Sequence, residues 1–130
     1  MIVLDASALV EFLLGTDAGL LVRERVRREA GDVHAPHLVD LEVTQTLRSL
    51  LFRQEVTASR CREALEVLQD MRIVRHPHRP YLARIWELRA SITAYDAAYV
   101  ALAEALGAPL WTRDGKLARA VGHRASVELV

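Results

Sequence analysis

Four acidic residues of this 130-residue chain, Asp5, Glu42, Asp96 and Asp114, fall where an ordinary surface charge is not expected. Carboxylates brought close together repel one another unless a cation lies between them. A donor set made only of oxygen, with no thiolate or well-placed imidazole, favours a hard ion, Mg²⁺ or Mn²⁺. Such an ion suits phosphodiester hydrolysis, because it activates water and offsets charge on the phosphate. On this reading each of the four is a candidate catalytic residue and metal ligand.

The local sequence sets the case for each acid. Asp5 ends the apolar run Ile2-Val3-Leu4, which is short enough for a buried strand. Beyond it the period becomes helical, with Ala8, Leu9, Phe12 and Leu13 on one side until Gly15 stops the pattern. Open α/β sheets keep ligands at such junctions, yet Asp is also among the best helix caps, so both readings of Asp5 stand. Leu110-Trp111-Thr112-Arg113-Asp114 repeats the arrangement, a short strand with an acid just after it. In a parallel sheet the two strand ends would share one edge.

Asp96 lies near the start of the most apolar helix expected, Thr93 to Leu106, which has no clean polar face. A buried carboxylate there needs donors, a cation or water. Thr93-x-x-Asp96 also resembles a capping box, with Asp in place of Glu or Gln. Glu42 sits in the second turn of a helix expected over 37–53, beside a core stripe of Val39, Val43, Leu47 and Leu50. From there it can face the same edge as Asp5.

The elements that must position these acids alternate. Strands are expected at 2–4, 33–36, 72–76, 110–112 and 126–129, the last at an edge. A second helix, capped by Thr16 or Asp17, is expected to reach about Ala30. Thr57 caps another, with Cys61, Ala64, Leu65 and Leu68 inward, and further helices are expected over 80–91 and 115–121. This order predicts an α/β fold, a single domain over 1–130 whose mostly parallel central sheet of four to five strands is flanked by helices. Arg23, Arg25, Arg27 and Arg28 read as a solvated helix face. Asp40 and Glu104 read as ordinary helix charges, Asp40 also as a neighbour of the site. His76 and His78 read as a loop pair beside prolines.

Composition narrows the class. Apolar residues make up 52% and charged residues 26%, the balance of a soluble globular chain rather than a disordered one. No apolar run approaches the ~18 residues of a membrane span, and the N-terminus lacks a basic region and cleavage site, so the cytoplasm is the expected compartment. The single cysteine, Cys61, excludes an internal disulfide and a thiolate-rich zinc site. Zero net charge argues against a strongly basic DNA-binding domain but not against nucleic acid as substrate. Lys116 is the only lysine, which weakens any mechanism needing a catalytic lysine.

The stretches VLDASAL at Asp5, LEVTQTLR at Glu42, TAYDAAYVALAEALGAPL at Asp96 and LWTRDGKL at Asp114 resemble those of PIN-domain ribonucleases. In size and layout the chain is most similar to the VapC-type toxins of bacterial toxin–antitoxin pairs, over essentially its whole length. The resemblance implies a PIN-like domain with Mg²⁺ or Mn²⁺ at Asp5, Glu42, Asp96 and Asp114, supported by hydrogen bonds from Ser7 and Thr112. It further implies an RNA substrate, a homodimer, and a cognate antitoxin whose peptide covers the active-site groove. Arg48, Arg79, Arg89 and Arg113 supply cations for such a groove. Two other functions fit part of the sequence. An aspartate-nucleophile phosphatase would use Asp5, but the chain has Ser7 where phosphatases resembling the haloacid-dehalogenase type place a second Asp. A non-catalytic α/β interaction domain would use the acids to bind a partner's basic tail.

Overall fold

Short apolar strands separated by helices pair in parallel, because the intervening chain is long enough to cross over the sheet. The computed structural model, which describes residues 1–29 and 32–130, has this arrangement throughout. Strands β1 (Ile2–Leu4), β2 (Val33–Pro36), β3 (Ile73–His76), β4 (Leu110–Thr112) and β5 (Val127–Leu129) form one sheet. Their order is β3-β2-β1-β4-β5 and every pairing is parallel, so the sheet has the full five strands and Val127–Leu129 lies at its edge.

The order runs outward from β1 in both directions. This reversal creates a switch point between β1 and β4, where open α/β sheets form a crevice beyond the carboxyl ends of their strands. Register brings those ends level: Val3 pairs with Leu110 and Leu4 with Trp111. The Asp5 amide then donates to the Trp111 carbonyl at 3.1 Å.

Seven α-helices cover the sheet among the described residues: α1 (Ala6–Leu14), α2 (Asp17–Arg28), α3 (Val39–Phe52), α4 (Ala58–Asp70), α5 (Leu82–Glu87), α6 (Ala94–Leu106) and α7 (Gly115–Ala118). The unbroken run Ala97 to Ala103 of α6 is buried, which accounts for its lack of a polar face. It packs on β1, β2 and β4. Gly15 ends α1 in the left-handed conformation, with φ of 64° and its amide on the Glu11 carbonyl. Four residues later α2 presses on α1 so closely that a Cβ at Gly19 would stand 1.8 Å from the Glu11 carbonyl oxygen.

Several expected boundaries move. The helix expected over 80–91 is a 3₁₀ turn at Arg79–Tyr81 followed by α5, which stops at Glu87. There the Leu88 amide is shared between the Arg84 and Ile85 carbonyls, and the turn tightens before Thr93 starts α6. The last helix closes at Ala118 through similar i to i+3 bonds rather than reaching 121. The helix expected over 37–53 begins at Val39, because the His37 amide bonds the His76 carbonyl instead. Helix α2 runs to Arg28, and its expected end at Ala30 lies outside the described residues.

Some side chains find partners that no local pattern shows. His76 belongs to β3 and pairs with His34, not His78: the rings stack, and Nε2 of His76 lies 2.9 Å from Nδ1 of His34. Burial and the neighbouring His34 and His37 hold the His76 imidazole below its usual range. Arg23 and Arg25 are half-buried rather than solvated. Arg23 donates to the Phe12 carbonyl at 2.8 Å, while Arg25 stacks over Trp111 and bridges to Glu128. Only Arg27 and Arg28 stay on an exposed face, paired with Glu24. Cys61 is buried, as a small core residue would be.

Candidate active site

Asp5 is built into the switch point by hydrogen bonds to both carboxylate oxygens. Its Oδ1 accepts from the Ala8 amide at 2.9 Å, capping α1, and from the Ser7 hydroxyl at 2.7 Å. Its Oδ2 accepts from the Thr112 hydroxyl at 2.5 Å. The cap and the site are therefore one arrangement. Both supporting hydroxyls also tie down β4: Ser7 accepts from the Arg113 amide and Thr112 from the Asp114 amide, each at 2.8 Å. Thr112 is completely buried and Asp5 only 6% exposed. Burial pushes the Asp5 carboxyl above the usual range despite these donors, and the charge of Asp96 adds to the rise.

Glu42 comes from the first turn of α3 and is half-buried. Its Oε2 accepts from the Tyr99 hydroxyl of α6 at 2.5 Å. Burial raises the Glu42 carboxyl, with smaller contributions from Asp96 and Asp5. Tyr99 is pushed far up by burial and by Glu42, so the phenol keeps its proton and remains a donor. Asp96 takes its place from α6, whose N-cap Thr93 accepts from the Asp96 amide at 3.1 Å. The cap fixes the backbone and leaves the carboxylate half-buried over the crevice, raised mainly by burial and also by Asp114. Asp114 follows β4 and caps α7 by accepting from the Lys116 amide at 2.7 Å.

All four acids line one open groove of about 690 Å³, together with Ser7, Tyr99 and Arg113. The electrostatic influence of Asp96 on Asp5 and Glu42, and of Asp114 on Asp96, runs through the set. Among the described residues, however, no three His, Cys, Asp or Glu side chains stand as a ready-made cage for an ion. Mg²⁺ does not require such a cage. Magnesium keeps several waters and takes one or two carboxylates directly, completing its shell with substrate phosphate. The donors present therefore suit a partly hydrated divalent ion.

A family comparison matches residues 2–122 to the family described as PIN domain. The chain belongs to the PIN-domain family. It is 45% identical over 130 residues to Ribonuclease VapC12 of Mycobacterium tuberculosis, covering 100% of this chain and 99% of that one. Ribonuclease VapC1 of the same organism is 41% identical over 129 residues, covering 98% and 96%. A crystal structure of PAE2754 from Pyrobaculum aerophilum superposes with a TM-score of 0.70 over 97% of this chain and 81% of that one. At 23% identity it bears on the fold alone. The VapC-type resemblance of the four motifs thus extends over the full length of close relatives.

The remaining acids of this PIN domain have other partners. Asp40 is not a neighbour of the groove; it forms a two-pronged pair with Arg75 of β3 at 2.7 and 2.8 Å. Glu104 is not an ordinary surface charge. Its side chain is 8% exposed, receives two bonds from Arg84 at 2.8 and 3.0 Å, and accepts from the Arg124 amide. The residue that sequence reasoning passed over at the groove is Tyr99. Its signal was its position three residues after Asp96, on the same side of α6, because a buried phenol needs a partner for its hydroxyl.

Proposed function

We propose that this PIN domain is a metal-dependent endoribonuclease, the toxin of a type II toxin–antitoxin pair. The observation that carries the reading is the shared groove: four carboxylates from four separate segments face one crevice, and three of them are raised by burial and by one another. Asp5, Glu42, Asp96 and Asp114 hold Mg²⁺ or Mn²⁺. When bound, the ion supplies activation of water and charge stabilisation at the phosphodiester. The chain's own part is orientation. Ser7 and Thr112 fix both oxygens of Asp5, Tyr99 fixes Glu42, and Thr93 sets the turn that carries Asp96.

The relatives are named as ribonucleases of VapC type, which supports RNA as substrate and a cognate antitoxin; in this reading the antitoxin's peptide covers the groove. No helix among the described residues is long and apolar enough to cross a membrane. A homodimer belongs to the same reading, and exposed Leu82, outside the groove lining, offers it apolar surface. The phosphatase reading is weaker, since both oxygens of Asp5 already accept hydrogen bonds and Ser7 occupies the place of a second acid.

Purified protein incubated with total RNA in Mg²⁺ or Mn²⁺ tests the proposal. Asp5→Asn or Asp96→Asn is expected to lower cleavage by at least ~100-fold, and EDTA to abolish it. Cleavage that survives both EDTA and Asp5→Asn would overturn the mechanism. Phosphate release from a small phosphomonoester, with a covalent adduct at Asp5, would favour the phosphatase instead.

A further inference from the structure

Resting on the ribonuclease reading, we propose that a second cleft beside the acidic groove is a phosphate subsite for the RNA backbone flanking the cleavage position. This cleft, of about 440 Å³, lies between the α5–α6 connection and the start of α7. Its walls include Arg89, Ser91, Thr93 and Lys116, and Asp96 and Asp114 line both it and the main groove. The two hollows therefore adjoin at these acids. A strand whose scissile phosphate lies among the four acids reaches this cleft without leaving the surface.

Beyond the two acids it shares with the main groove, the cleft carries the cations Arg89 and Lys116. Many arginines of the chain are neutralised in pairs, as Arg25, Arg75 and Arg84 are. Among the described residues Arg89 and Lys116 make no ion pair with a carboxylate. Arg89 is nonetheless held in place: its Nη1 donates to the Trp86 carbonyl at 2.9 Å and its guanidinium lies 4.6 Å from the centre of the Trp86 ring. An exposed cation pre-positioned by an aromatic ring, with no carboxylate on it, is suited to a phosphate. A third cation adjoins, since the Arg119 guanidinium lies against Gly115, 3.0 Å from where a Cβ would stand. The main groove itself is lined by one cation, Arg113, beside Glu11 and the four acids. An RNA strand is thus gripped on one side of the acids, and the cations there offset the repulsion that the groove exerts on its backbone.

The test is binding of a fluorescein-labelled 12-nucleotide single-stranded RNA, by fluorescence anisotropy across a salt series with Ca²⁺ in place of Mg²⁺. Arg89→Gln combined with Lys116→Gln is expected to raise Kd by about tenfold near 0.1 M salt and to lower the log–log salt slope by about 1.4, two single-strand phosphate contacts. In Mg²⁺, kcat/KM for the same RNA is expected to fall by a similar factor. Arg62→Gln, an exposed charge on α4 away from both hollows, is the control expected to change neither. An unchanged slope and Kd in the double variant, or an equal shift in Arg62→Gln, overturns the subsite while leaving the ribonuclease reading intact. An unsubstituted protein that neither binds nor cleaves RNA overturns both.

Discussion

Glu42 extends into the groove on a side chain with three rotatable bonds, and the Tyr99 hydroxyl at 2.5 Å is what selects one of its positions. Tyr99→Phe keeps the buried ring and removes only that donor. A hydrogen bond to a charged group contributes roughly 1.5–3 kcal/mol, so the variant is expected to unfold with about 1–2 kcal/mol less stability in urea. RNA cleavage is expected to fall about tenfold, because Glu42 is no longer fixed. An unchanged initial rate would remove Glu42's placement from the mechanism. The nearness of Asp5 and Asp114 at one sheet edge was legible because each follows a short apolar run, although a strand-end acid also reads as a helix cap, which both are. The site was legible at Asp96 because a carboxylate interrupts an alanine-rich helix. Tyr99 was not, since a tyrosine in an apolar run reads as core by pattern and its polar end meets α3 through a contact 57 residues away in sequence.

At the scale of elements, α5 is short and depends on a neighbour for its position. Arg84 of α5 grips Glu104 of α6 with two bonds, and the same guanidinium donates to the Gly122 carbonyl at 3.2 Å. This clasp joins α5, α6 and the segment before β5, and so steadies the connection that carries Arg89 and Thr93. Arg84 and the Arg124 amide hold the Glu104 carboxyl down to about 2. A depressed carboxyl stabilises the fold fully above its unfolded value, and that stabilisation is lost as pH falls through the folded one. Glu104→Gln is expected to cost about 2 kcal/mol in urea unfolding at pH 7, and much less near pH 2, where about half of the native carboxyl is protonated. Equal losses at both pH values would mean that the charge is not what binds α5 to α6. Neither this clasp nor the Asp40–Arg75 pair was legible, because each joins residues whose nearness depends on the whole fold. The strand–helix alternation was legible because hydrophobic period is a local property, whereas exact boundaries depend on hydrogen bonds that the period does not show, distant at His37 and local at Leu88 and Ala120.

For the whole molecule, the switch point couples folding to protonation. Asp5, Glu42 and Asp96 are all raised above their ordinary values. Across the range between ordinary and raised values the folded chain binds more protons than the unfolded chain, so stability falls as pH rises through it. The lowered His76 acts in the opposite sense: its contribution is present above its unfolded value and is lost as pH falls through the folded one. A melting profile in EDTA alone therefore mixes the two effects. The difference between profiles in Mg²⁺ and in EDTA separates them, because His76 lies on β3, outside the lining of the acidic groove, and contributes equally to both. Protons compete with the ion for the carboxylates, so the Mg²⁺-dependent rise in Tm is expected to be smaller at acidic pH than at neutral pH. With the ion at a hundred times its Kd the stabilisation amounts to about 2.7 kcal/mol. Asp96→Asn is expected to reduce both the size of the rise and its dependence on pH. A shift of equal size at pH 5 and pH 7.5, unaffected by Asp96→Asn, would place the ion elsewhere and leave the four carboxylates without the cation that their convergence calls for.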